Sequence, residues 1–191
     1  FPQNVIGMIL RGIFLMTNKE LNWFYKDGGA SLFWPEKWKE FVEMIPQSEQ
    51  SNIIEAYHKR LFHKSKEIRE KFSISWLKWE NSLASMQRSI NNYNPPINYA
   101  LAFSRIENHY FYNKGFLGSD NYILSNAKKF DEIPGIIIQG RYDMVCPPYS
   151  ANKLNNAWPK SELNIIDFSG HAMSEPEISI ELIKATEKFK S

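Results

Sequence analysis

The chain has 191 residues, 43% apolar and 15% aromatic, enough for one packed domain or one domain carrying a sizeable insertion. Its net charge of +2 comes from 23 basic and 21 acidic residues mixed along the chain, with no basic arm or stripe, which points away from nucleic acid as a partner. No apolar run approaches the roughly 20 residues that span a bilayer, so no membrane partner is expected.

There is one cysteine, Cys146, which rules out an internal disulfide and a cysteine metal site and fits a reducing, cytoplasmic setting. Gly28-Gly29 is too short to cradle a phosphate, and neither a metal nor a cofactor is expected. The chain opens on Phe1-Pro2, with no initiator Met and no signal-peptide pattern, and this start reads as a cut edge.

In chain order, Val5-Ile6-Gly7-Met8-Ile9-Leu10 is a continuous apolar run ending in Arg11-Gly12, the pattern of a buried strand in a parallel sheet. Helices follow. One opens at Pro35-Glu36, with proline in its first turn; one opens at Ser48-Glu49-Gln50-Ser51 and runs to about Phe62. A third covers about Lys64 to Leu83, and after Pro95-Pro96 a fourth covers about Asn98 to Tyr112. The compact run Gly135–Gln139 is again a strand, followed by a helix near Pro148–Ala157, a strand Leu163–Asp167 and a last helix from about Glu177 to Phe189. A helical block flanked by strands is the pattern of an insertion into a doubly wound sheet, over the strand ends where ligands bind.

Two residues stand out at those ends. Gly135–Gln139 leads into Gly140-Arg141-Tyr142-Asp143, and Leu163–Asp167 leads into Phe168-Ser169-Gly170-His171. An acid and a histidine after successive parallel strands project into one crevice, where the carboxylate can hold the imidazole in one tautomer. Taken singly, Asp143 could cap a turn and His171 could be a plain loop histidine. Taken together, their order is that of an α/β-hydrolase. The expected fold is therefore α/β: the C-terminal part of an α/β-hydrolase sheet, residues 1–17 and 120–191, with an inserted all-helical cap, residues 18–119. A Gly-x-Ser-x-Gly elbow and a His-Gly-Gly loop are absent from the sequence, so the nucleophile is expected upstream, or the chain is a non-catalytic remnant.

The segments Leu10-Arg11-Gly12-Ile13-Phe14, Trp34-Pro35-Glu36-Lys37-Trp38, Ala100 to Phe111 with its Arg105-Ile106-Glu107-Asn108-His109-Tyr110-Phe111 run, Gly140 to Cys146, and Gly170-His171 resemble proline iminopeptidases. These are serine aminopeptidases of the α/β-hydrolase fold that release an N-terminal proline. The resemblance covers essentially the whole chain. It implies that Asp143 and His171 are the triad acid and base, and that the family's serine belongs to a missing N-terminal half. The chain alone should then be inactive. The implied substrate is a peptide with a free N-terminal proline. Another capped α/β-hydrolase, an epoxide hydrolase or an esterase, would share the acid–histidine layout.

Glu107 shares a helical face with Phe103 and Tyr110, and Glu80 a face with Trp76 and Leu83. A carboxylate on an apolar face is costly unless a cation meets it. That cation could be a nearby arginine, such as Arg105 or Arg69, or the free α-amino group of a substrate. The resemblance implies the second, with Glu80 and Glu107 converging on one cavity. It also implies a proline slot lined by Phe14, Phe24, Val145 and Cys146. His58 and His63 are expected to be solvated and His109 structural.

Overall fold

The computed structural model describes residues 1–86 and 95–190. The elements run β1 (Met8–Arg11), α1 (Asn18–Tyr25), α2 (Pro35–Val42), α3 (Ile53–Leu61), α4 (Lys66–Ala84), α5 (Ile97–Tyr112), α6 (Tyr122–Ser125), β2 (Gly135–Gly140), α7 (Pro148–Ala157), β3 (Ser161–Ile166) and α8 (Pro176–Lys188). The chain is mixed α/β with a small parallel sheet. It divides into two compact units. One holds Phe1–Leu15, the short stretch from Ala84 and the chain from Ser119 onward; the other holds Met16–Leu83 and the chain leading up to Gly118.

The first unit is built on the sheet, in the order β1-β2-β3, with both pairs parallel. Gly135–Gly140 is buried at every position, as the middle strand of a covered parallel sheet must be. Its isoleucines alternate between two cores. Ile137 packs with Ile13, Leu15, Ala151, Leu154 and Trp158; Ile136 and Ile138 pack with Ile178 and Ala185 of α8. At Gly135 an added Cβ would fall 1.9 Å from the Trp158 ring, so the indole occupies the space that a side chain would need.

The strand expected over Val5–Leu10 begins only at Met8, and Val5 and Ile6 are exposed. Pairing decides this: Met8 is the first residue in register with β2, opposite Gly135. Residues 8–11 are partly rather than fully buried. Apolarity alone placed the strand three residues early.

The second unit is helical and its core is aromatic. Tyr25 stacks on Trp76 at 4.7 Å between ring centroids, and Phe41 stacks on Tyr57 at 4.4 Å and on Trp79 at 5.7 Å. Each such contact adds about 0.5–1.5 kcal/mol beyond area burial. Two differences from expectation concern helix starts. The segment Gln47–Asn52 is a 3-10 helix, and α3 begins only at Ile53, where the Asn52 side chain caps Glu55 N–H. Helix α1 was not expected, yet Thr17 and Glu20 form a capping box at its start. Among the described residues no helix is long and apolar enough to cross a membrane.

Candidate active site

The C-terminal ends of the three strands of the first unit lie side by side, since Arg11 pairs with Ile138 and Gly140 with Ile166. The chain leaving β2 turns through Asp143, and the chain leaving β3 turns through His171. The two side chains meet: His171 Nδ1 lies 2.9 Å from Asp143 Oδ2. Asp143 is buried, while 18% of the His171 side chain remains accessible, so a reacting group can reach the ring.

The Asp143 carboxylate is held on both oxygens. Oδ1 accepts the backbone N–H groups of Val145 (3.0 Å) and Cys146 (2.7 Å). Oδ2 accepts the Gln139 side-chain amide at 3.0 Å as well as the imidazole. Surrounded by donors, this carboxylate acts as an acceptor, so Nδ1 of His171 carries the proton and Nε2 presents a lone pair. That is the tautomer a general base needs.

The His171 backbone is fixed as firmly. Arg11 donates from its guanidinium to the His171 carbonyl. Buried Glu175 accepts Gly170 N–H (2.6 Å) with one oxygen and Met86 N–H (2.9 Å) with the other. Ala172 N–H donates to the Ala84 carbonyl at 2.7 Å. Gly12 sits against the imidazole with φ at +57°, and a Cβ there would lie 2.8 Å from His171 Cε1.

Phe14, Val145 and Cys146 lie on the loops around this pair. Gln139 bridges them through the backbone, accepting Ile13 N–H at 3.2 Å and donating to the Cys146 carbonyl at 3.0 Å. Cys146 is buried and Phe14 and Val145 are partly buried.

The helical unit carries the other candidates. Glu80 is buried on the core face of α4, one turn after Trp76. Glu107 lies on α5, partly buried, and Trp76 Nε1 donates to its Oε2 at 2.6 Å. Burial pushes the Glu107 carboxyl up to about 7, with the Trp76 hydrogen bond pulling the other way. Ser104 Oγ donates to the Ser73 carbonyl at 2.9 Å, a second link between α5 and α4. Arg105 lies over the Phe62 ring, and Arg69 donates to the carbonyls of His63 and Lys64. Phe24 is buried against Tyr25 and Trp79, and its carbonyl accepts Trp79 Nε1 at 3.1 Å. His58, expected to be solvated, is bonded to Asn108 Oδ1 at 2.8 Å and stacked on Tyr112.

No family model matches the chain. Its similarity to curated proteins is extensive. It is 46% identical to the proline iminopeptidase of Arabidopsis thaliana over all of its length and 50% of that protein's. It is 43% identical to a protein of Leptolyngbya boryana named "Probable proline iminopeptidase", over 98% of its length and 59% of that protein's. It is 39% identical to the proline iminopeptidase of Xylella fastidiosa strain 9a5c, over 98% of its length and 60% of that protein's. The chain is a homologue of the proline iminopeptidases. It spans about half to three-fifths of the length of these relatives.

The geometry around the pair adds four residues that the sequence alone does not single out as site residues: Arg11, Gly12, Gln139 and Glu175. Gln139 had a readable signal, a carboxamide ending a run of three isoleucines in a buried strand, where a polar group needs partners. Gly12 had a weaker one, a glycine straight after a strand. Glu175 had none, because its partners Met86 and Gly170 are remote from one another in sequence.

Proposed function

We propose that this chain is the acid–histidine part of a prolyl aminopeptidase of the α/β-hydrolase fold, whose nucleophilic serine lies in a portion of the protein outside these 191 residues. The observation that carries the reading is the His171 Nδ1–Asp143 Oδ2 pair at 2.9 Å, at the C-terminal edge of a parallel sheet. Homology to proline iminopeptidases supports the substrate class, a peptide with a free N-terminal proline. In this reading residues 1–17 and 120–191 are hydrolase core and residues 18–119 are the inserted cap.

His171 Nε2 takes the serine proton as the hydroxyl attacks the prolyl carbonyl, and returns it to the departing amine. Asp143 stabilises the imidazolium formed between those steps. A water molecule then repeats the sequence on the acyl-enzyme and releases proline. The cap carboxylates Glu107 and Glu80 receive the substrate's α-ammonium, with Trp76 orienting Glu107. The raised titration of Glu107 supports this role, since a carboxylate in an apolar setting favours the neutral form until a cation arrives. Phe14, Val145 and Cys146, on the loops beside the acid–histidine pair, contact the proline ring.

The test is hydrolysis of a chromogenic proline amide by the 191-residue chain, by the full-length protein, and by the chain with the missing portion added. The reading expects turnover only where both portions are present. Turnover by the chain alone, lost in His171→Ala, would place a nucleophile within it, with Cys146 and Ser169 the first to examine.

A further inference from the structure

Gln139 is a polar side chain in the middle strand of the sheet with 0% exposure, and every polar atom of its carboxamide is used. Oε1 accepts Ile13 N–H at 3.2 Å. Nε2 donates to Asp143 Oδ2 and to the Cys146 carbonyl, both at 3.0 Å, with the Gly140 carbonyl a longer contact at 3.4 Å. Chemistry fixes the orientation of this amide. Its oxygen faces a backbone N–H and its nitrogen faces a carboxylate and a carbonyl, so the flipped form would lose all three bonds and set like groups against each other.

We infer that Gln139 is a positioning residue for the proposed reaction: its carboxamide stations the Asp143 carboxylate and sets how strongly that carboxylate holds His171. The inference rests on the assignment of Asp143 and His171 as acid and base. Asp143 Oδ2 divides its acceptor capacity between two donors, Gln139 and His171. Without the first, the charge on Oδ2 falls wholly on the imidazole N–H. The same amide ties the acid to the loop after β1 through Ile13 and to the loop after β2 through Cys146, so one side chain sets three segments in register. An apolar residue would fill the volume but supply none of these bonds. The other charged groups around the pair, the Arg11 guanidinium on the His171 carbonyl and the Glu175 carboxylate on Gly170 N–H, act on the backbone of the histidine loop and leave Oδ2 to Gln139.

The experiment is Gln139→Met in the full-length protein, with Gln139→Leu as a second variant that also removes the amide should the first not fold. Two readouts are taken: the low-field proton resonance of the His171 Nδ1–H, and the pH profile of kcat/KM on a chromogenic proline amide. We expect the resonance to move downfield, the acid limb of the profile to move to higher pH, and kcat to fall roughly tenfold to a hundredfold, the scale of one hydrogen bond to a charged group. A resonance and pH profile unchanged from wild type in a folded variant would overturn the inference and leave the proposed function standing. A shifted resonance in a protein that does not cleave proline amides would overturn the proposed function alone, because the resonance reads the Asp143–His171 bond without turnover.

Discussion

Gly12 and His171 are packed so closely that position 12 has no room for a side chain. A Cβ there would lie 2.8 Å from the imidazole Cε1 and 3.1 Å from Nδ1, and the φ of +57° is one that other residues adopt at a cost. Gly12→Ala should therefore act twice. Left-handed strain costs about 1–2 kcal/mol of stability, and displacement of the ring by something near 1 Å cuts turnover by roughly 100-fold. Thermal melts and kcat on a chromogenic proline amide check the two effects separately. A variant with wild-type kcat would mean that the ring is not held by this contact.

Asp143→Asn tests the acceptor role of the carboxylate. An amide at this position cannot accept from Val145 N–H, Cys146 N–H, Gln139 and His171 together, because one of its two heavy atoms is a donor. The imidazole then takes the other tautomer, with its lone pair on Nδ1. In a comparable triad that change lowers kcat about 10⁴-fold, and a loss of that order is expected in the full-length protein. Activity within tenfold of wild type would remove Asp143 from the proposed mechanism.

Glu175→Ala should be a stability mutant first and a kinetic mutant second. It leaves the buried Gly170 N–H and the partly buried Met86 N–H without their acceptor. Hydrogen bonds to charged groups contribute about 1.5–3 kcal/mol each, so a loss of about 3 kcal/mol in denaturant unfolding is expected. Since Gly170 precedes His171, kcat should fall further than KM rises. A stability change below about 0.5 kcal/mol would mean that solvent replaces the carboxylate without penalty.

Much of this architecture is legible in the sequence, and the unread parts have physical reasons. Gly135–Gln139 and the Pro148 helix stand out because one is a continuous apolar run and the other begins with proline. The start of β1 differs from the apolar run because its register comes from hydrogen bonds to β2, which Val5 and Ile6 do not reach. Helix α1 is short, with a short hydrophobic face, and its one clear sequence mark is the capping box of Thr17 and Glu20. Asp143 and His171 could be read from their places after two strands. Gln139 is flagged only as a polar group in an apolar strand, and what it, Arg11 and Glu175 bond to is not legible, since those bonds join segments far apart in the chain. The charges beside His58 point to solvent, but its partner Asn108 lies on another helix.

Glu107 should make stability depend on pH in a definite direction. Its folded-state titration is raised to about 7 from the model-compound value of 4.5. Between those values the folded protein holds a proton that the unfolded chain has released. The stabilisation is thus full below about 4.5 and is lost as pH rises through about 7. The melting temperature of the wild type should fall more between pH 5 and 8 than that of Glu107→Gln, which has no proton to lose. Binding of a free prolyl amine should also expel that proton, because the ammonium favours the ionised carboxylate. Calorimetry near pH 6.5, in buffers of differing ionisation heat, reads the proton release directly. Parallel melting curves for the two proteins would reject the shift.

The central claim is that Asp143 and His171 are the acid and base of a prolyl aminopeptidase, and His171→Ala in the full-length protein tests it most directly. Steady-state hydrolysis of a chromogenic proline amide is compared with that of the wild type, with folding of both verified by thermal melts. The account predicts robust wild-type turnover and a fall in kcat of about 10⁶-fold in the variant, the scale on which loss of a triad histidine is felt. A folded His171→Ala protein whose kcat stays within tenfold of wild type, or a wild type that leaves proline amides uncut, would contradict it.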